Sequence, residues 1–194
     1  RDRSPSRGLG DVYKRQWVAV PSGISPDNVR SVFFCESAFD AMAFYQMNRI
    51  QIGDSAALVS LGGTFSDRQI TGVMERFPNA RAFDCFDNDL AGRIYGLRMM
   101  ALQEGIQMKI SRTDGGIRIE AKGKVFEPDM KRPLLAQVAR QLNIRYRMGQ
   151  WLPPKAFKDW NDCLLNRPME PVISPHKEER EQNLSEQRNK GRKI

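Results

Sequence analysis

Between residues 31 and 112 the chain alternates short apolar runs, rich in β-branched and aromatic residues, with segments whose apolar residues recur at helical spacing. SVFFCES (31–37) predicts a first strand and AFDAMAFYQMN (38–48) a helix after it. AALVSLGG (56–63) predicts a second strand ending in paired glycines. SDRQITGVMERF (66–77) predicts a helix with Ser66 as N-cap and Ile70, Val73, Met74 and Phe77 on one face. ARAFDCFDN (80–88) and MKISR (108–112) predict a third and a fourth strand around a helix over 89–105 that closes on Gly105. Few architectures accept this order, and the expected one is an α/β fold with a parallel sheet of about four strands covered by helices on both faces. No internal repeat is evident.

Composition narrows the class further. A chain of 194 residues, 40% apolar, holds one globular domain with a real core. No apolar run reaches the length of about 18 residues that a membrane span needs, so no membrane partner and a cytoplasmic location are expected. Cys35, Cys85 and Cys163 form no CxxC pair and His176 is the lone histidine, so the thiols read as reduced and mostly buried. The formal charge of +8 is unevenly spread. Residues 17–108 carry seven basic and ten acidic side chains, whereas residues 109–158 carry twelve and four. A basic block of this kind is either solvated surface or a nucleic-acid contact. Residues 1–16 resemble translated adapter read-through, so an upstream extension of the natural chain is expected, and the charged residues 175–194 read as a disordered tail.

FDNDLAG (86–92) places Asp87 and Asp89 where the third strand ends and a helix begins. In an open parallel sheet the functional crevice lies beyond the carboxyl ends of the strands, and Glu36 ends the first strand in the same way. If those two strands are neighbours, three carboxylates converge. Their mutual repulsion would raise at least one pKa unless a cation neutralised it. Hard oxygen donors favour Mg²⁺, or Mn²⁺ in its place.

CESAFDAMA, SLGG and FDNDLAG, in this order and spacing, resemble the TOPRIM domain of bacterial primases, type IA and II topoisomerases, OLD-family nucleases and recombination proteins. The resemblance covers about residues 30–165, with the basic stretch 109–158 as an extension inside it. KDWND (158–162) is similar to the closing motif of primase-type members, and the nearest likeness is to TOPRIM-like primases of plasmids and conjugative elements. The resemblance implies a TOPRIM, Rossmann-like fold and Mg²⁺-dependent phosphoryl or nucleotidyl transfer in DNA replication or transfer of a mobile element. Single-stranded DNA is the implied partner, with nucleotides as further substrates. It assigns Glu36 as general acid or base, or a metal ligand, and Asp87 and Asp89 as metal ligands. Asp159, Asp162 and Lys158 fall close to the metal, and Gly62 and Gly63 form the turn after the second strand. Ser37 stands where cellular primases usually have glycine. An OLD-type nuclease and a non-catalytic DNA-binding module are the alternatives.

Several residues carry two readings. Asp40, four residues after Glu36, either joins the site or favours the helix N-terminus. Gly92 either lets its helix approach the sheet or a phosphate, or simply packs. Asp89, Asp159 and Asp162 can also cap or open helices. Trp151, Trp160, Tyr146 and Phe157 interleave with basic residues as a stacking surface would, or else close the core. Lys122, Lys124, Arg145 and Arg147 are the expected phosphate contacts, in a stretch read as a hairpin (112–128), an amphipathic helix (131–143) and an extended lead-in (144–155).

Overall fold

The computed structural model describes residues 16–170. Its main sheet has five strands. The central strand β2 (Ser31–Cys35) lies parallel to β3 (Ala56–Ser60) on one side and to β4 (Arg81–Asp84) on the other. β1 (Trp17–Ala19) runs antiparallel along the β3 edge, and β8 (Gly149–Gln150) adds two residues parallel to β4. Central strands covered on both faces need apolar residues in succession, and β2 and β3 are buried almost throughout.

Alternation along β2 sorts its side chains between two layers. Phe33 and Cys35 face a layer built by α1 (Ala38–Ile52) and the short α5 (Trp160–Leu164), where Phe33 and Phe44 lie 4.9 Å apart and Phe44 meets Trp160 at 5.0 Å. Val32 and Phe34 face the larger core under α2 (Asp67–Arg76) and α3 (Leu90–Gln103). Ile70 and Val73 in α2 and Phe77 at its C-cap are buried with Met74 packed beside them, as their spacing predicts. Gln69 secures the start of that helix by accepting from the Ser66 N–H at 2.8 Å.

The fourth predicted strand is a correction. Met108–Thr113 (β5) does not join the parallel sheet but opens an antiparallel meander with β6 (Gly116–Ala121) and β7 (Lys124–Phe126). A partner one tight turn away costs little chain entropy, whereas the parallel sheet would have to be reached through a longer closure. The edge beside β4 is taken instead by β8. A Cβ at Gly149 would come within 2.4 Å of the Phe83 ring, so glycine is what lets this strand lie there. The predicted amphipathic helix is α4 (Leu134–Leu142), which buries Leu134, Leu135, Val138 and Leu142. The expected adapter-like start is outside the described residues except for Gln16, and the expected tail at 175–194 lies wholly outside them.

Trp160 is buried and Trp151 packs edge-on against Phe33 and Phe44, at 5.7 and 5.5 Å. Both indoles therefore belong to the α1 layer, which favours the core reading of the two that the sequence leaves open for them.

Candidate metal centre

Register decides the site. Phe34 pairs with Asp84 across β2 and β4, so Glu36 and Asp87 leave the sheet at the same end. The Asp87 N–H donates to Glu36 Oε1 at 3.3 Å, and the Gly63 N–H donates to the Glu36 carbonyl at 3.0 Å. Gly62 and Gly63 have φ of 71° and 96°, a left-handed pair that suits glycine and turns the chain after β3 toward Glu36. Gly92 is held close for a different reason. A Cβ there would meet the Asp87 carbonyl oxygen at 2.3 Å, so the first turn of α3 rests directly on the Asp87 backbone.

Asp40 reaches the same place from α1. Ser37 caps that helix, accepting from the Asp40 N–H at 3.1 Å, and its hydroxyl donates to Asp40 Oδ2. Asp159 arrives as the cap of α5, where it accepts from the Asp162 N–H at 2.7 Å, and the Asn161 N–H donates to Asp40 Oδ1 at 3.2 Å. One carboxylate oxygen from each of Asp40, Asp87 and Asp159 lies within 4.8 Å of the others. Asp162 is outside this trio. Asp89 caps α3 through the Gly92 N–H at 2.9 Å and stands at the rim, 3.8 Å from Lys158 Nζ. Lys158 is nearer to Asp87, at 3.4 Å.

Sequence reasoning missed Asn88, which joins the third motif to the last. Its side chain donates to the carbonyls of Pro153 and Phe157 at 2.9 and 2.8 Å, and its N–H to the Lys158 carbonyl at 2.7 Å. An amide between two aspartates was the available signal, since it can bind carbonyls without adding charge. Asp84 was also passed over. It is buried beneath the site, accepting from the Phe86 N–H and from Gln150, and Gly96 leaves room for its carboxylate.

Burial and crowding make Glu36, Asp40, Asp84 and Asp87 reluctant to ionise. Burial, and then the Asp87 charge, push the Glu36 carboxyl up to about 7. Burial and the Asp40 charge raise Asp87 to about 6, and burial raises Asp40 as well. Asp84, fully enclosed, is pushed up to about 6 by burial. Burial opposes the Lys158 ammonium, but Asp87, Asp89 and Asp159 outweigh it and raise its pKa. Three close oxygen donors, two of them with raised pKa values, suit a hard divalent cation, which would replace repulsion by coordination.

The four basic residues expected at the DNA do not flank this cluster. Lys122 Nζ and Lys124 Nζ reach the Leu142 and Gln141 carbonyls, at 3.4 and 2.6 Å, where they neutralise the carboxyl end of α4. Arg147 precedes β8 and its carbonyl accepts from Arg81 at 2.8 Å, at the end of the sheet away from the carboxylates, and the exposed Arg145 precedes it. No helix among the described residues is long and apolar enough to cross a membrane.

No curated protein and no solved structure matches the chain. Residues 33–116, from the first central strand through the start of β6, match the family model described as Toprim-like. With the mostly parallel sheet and the aspartate trio beyond its strands, that match supports a TOPRIM domain protein.

Proposed function

We propose that the chain performs Mg²⁺-dependent phosphoryl or nucleotidyl transfer on DNA, as the TOPRIM part of a primase-like protein of a mobile element. Single-stranded DNA is its partner and nucleotides its second substrate in this reading. The observation that carries it is the meeting of Asp40, Asp87 and Asp159 within 4.8 Å at the carboxyl ends of parallel strands. All three donors are carboxylate oxygens, which fits Mg²⁺ or Mn²⁺ and not a thiolate- or imidazole-seeking metal. Bound there, the cation would supply charge neutralisation for a transferring phosphoryl group.

The protein's own groups have distinct tasks. Asp40, Asp87 and Asp159 would hold the ion, each fixed by a backbone feature: the α1 cap, the Gly92 contact and the α5 cap. Glu36, half-buried beside Asp87 and raised to about 7 before a cation binds, would hold or release a proton beside the reacting oxygen. Lys158 places a positive charge at the rim, where it can meet a phosphate oxygen.

The test is to supply the chain with single-stranded template, ribonucleotides and Mg²⁺, and to follow labelled product. Template-dependent primer synthesis, absent from Asp87→Asn, is the expected result. Strand cleavage without nucleotides would select the OLD-type nuclease, and salt-sensitive binding without turnover the non-catalytic module.

A further inference from the structure

Next to the carboxylates, across Asp89, lies a cavity of about 410 Å³. Its walls are the first turn of α3, the β5–β6 turn and Met130. We propose that it receives one nucleoside monophosphate unit, with the phosphate on Arg93 and Arg112 and the base against Leu90 and Met130. The proposal rests on the nucleic-acid reading of the neighbouring centre and adds to it where the substrate is gripped.

Size and chemistry agree with that ligand. The volume falls within the span of roughly 300–1,000 Å³ usual for small-molecule sites, and the lining sets polar and charged groups opposite the apolar Leu90 and Met130, as a ligand with a charged phosphate and a flat base requires. Arg93 is already oriented, because its two terminal nitrogens donate to the Met130 and Arg132 carbonyls at 2.6 and 3.0 Å. A guanidinium offers five donors, so others remain for a phosphate, and little freedom is lost in using them. Arg112 is exposed at the mouth and has no ion-pair partner among the described residues.

The apolar side is equally built. Leu90 and Met130 are partly buried against the main core. A Cβ at Gly116 would come within 2.6 Å of Met130, so the glycine lets the turn close down on that side chain. The Thr113 hydroxyl is buried with no hydrogen-bond partner among the described residues, and a sugar or phosphate oxygen would supply one. Asp89 and Asp114 also line the cavity, so its two arginines are matched by two carboxylates. A bare phosphate therefore gains little there, and base and phosphate must act together.

The experiment titrates the full chain, in EDTA, with AMP, with inorganic phosphate and with a short 5′-phosphorylated oligothymidylate. AMP binding would assign the site to a free nucleotide, and oligonucleotide binding alone to a unit of the strand. In either case Arg112→Gln should weaken binding by about tenfold or more, as expected for loss of a charge-assisted hydrogen bond. Arg112 is exposed near the end of β5, and an unchanged melting temperature would verify that the variant is folded. Inorganic phosphate should bind more weakly than either. Failure of both AMP and the oligonucleotide to bind without metal, or wild-type affinity in Arg112→Gln, overturns the proposal. Asp87→Asn separates it from the catalytic reading, since that variant should lose metal-dependent turnover and keep nucleotide binding in EDTA. Nucleotide binding in a wild-type chain with no metal-dependent turnover would leave the cavity standing and remove the catalytic reading.

Discussion

At the carboxyl end of the parallel sheet, Glu36, Asp40, Asp87 and Asp159 are pressed together with Lys158 alone paired to them among the described residues, and burial raises the pKa of three of these acids. In the meander and around α4 several charged residues are settled locally. Lys122 and Lys124 bind the last carbonyls of α4, Lys109 pairs with Glu120 across β5 and β6 at 3.6 Å, and Arg132 pairs with Asp129 at 3.2 Å. The basic block draws the eye in the sequence, yet Lys109, Lys122, Lys124 and Arg132 within it have local partners. The acidic end has a smaller charge excess and is where repulsion remains for a ligand to relieve.

The largest effect should come from disturbing the backbone that holds the acidic end. Gly92→Ala would drive a methyl into the Asp87 carbonyl, which cannot swing aside as a side chain could. We expect a loss of about 3 kcal/mol, near 10 °C in melting temperature. An unchanged melting temperature would show that α3 can shift and that the site is not rigidly built.

A smaller effect should follow pH. Glu36 titrates at about 7 in the folded chain against 4.5 ordinarily, so the folded state binds more protons between those values than the unfolded one. Metal-free stability should therefore fall as pH rises from about 4.5 to about 7, with Asp84 and Asp87 contributing to the decline up to about 6. Glu36→Gln keeps an oxygen for the Asp87 N–H, removes the charge, and should raise the melting temperature by a few degrees above pH 7. It should change little near pH 4.5. A wild-type slope of opposite sign would mean that the acids are already neutralised.

The smallest expected effect belongs to the basic block. Lys122→Met with Lys124→Met removes two helix-end charges and should cost about 1 kcal/mol, or 2–4 °C. The salt dependence of single-stranded DNA binding should shift by less than the roughly 0.7 units per contact that phosphate-bound lysines would give. A slope flatter by about 1.4 units would restore both lysines as DNA contacts.

Much of this arrangement was legible because local rules and tertiary structure agree. The runs around Phe33, Leu58 and Phe83 are continuous and apolar, so β2, β3 and β4 and the helices between them follow directly. The convergence of Glu36 and Asp87 followed from β2 and β4 being neighbours, which a strand order alone can give. Asp40 remained open because its position depends on contact with α5, more than a hundred residues later. β8 has two residues and no alternation to reveal it, and its place depends on Gly149 fitting against Phe83. MKISR has the composition of a buried strand, yet a nearby antiparallel partner took it. Arg93 and Arg112 escaped notice because nineteen positions separate them in sequence and only the β5–β6 turn brings them to one cavity.

The central claim is that Asp40, Asp87 and Asp159 hold one divalent cation, and calorimetric titration with Mn²⁺ tests it most directly. The wild-type chain should bind the ion, and Asp40→Asn, Asp87→Asn and Asp159→Asn should each weaken binding by about tenfold or more, at least the loss seen when a residue merely supporting a ligand is changed. Asp162→Asn, outside the trio, should leave binding as it is. Equal losses in Asp162→Asn and Asp87→Asn, or full affinity in Asp40→Asn, would contradict the assignment.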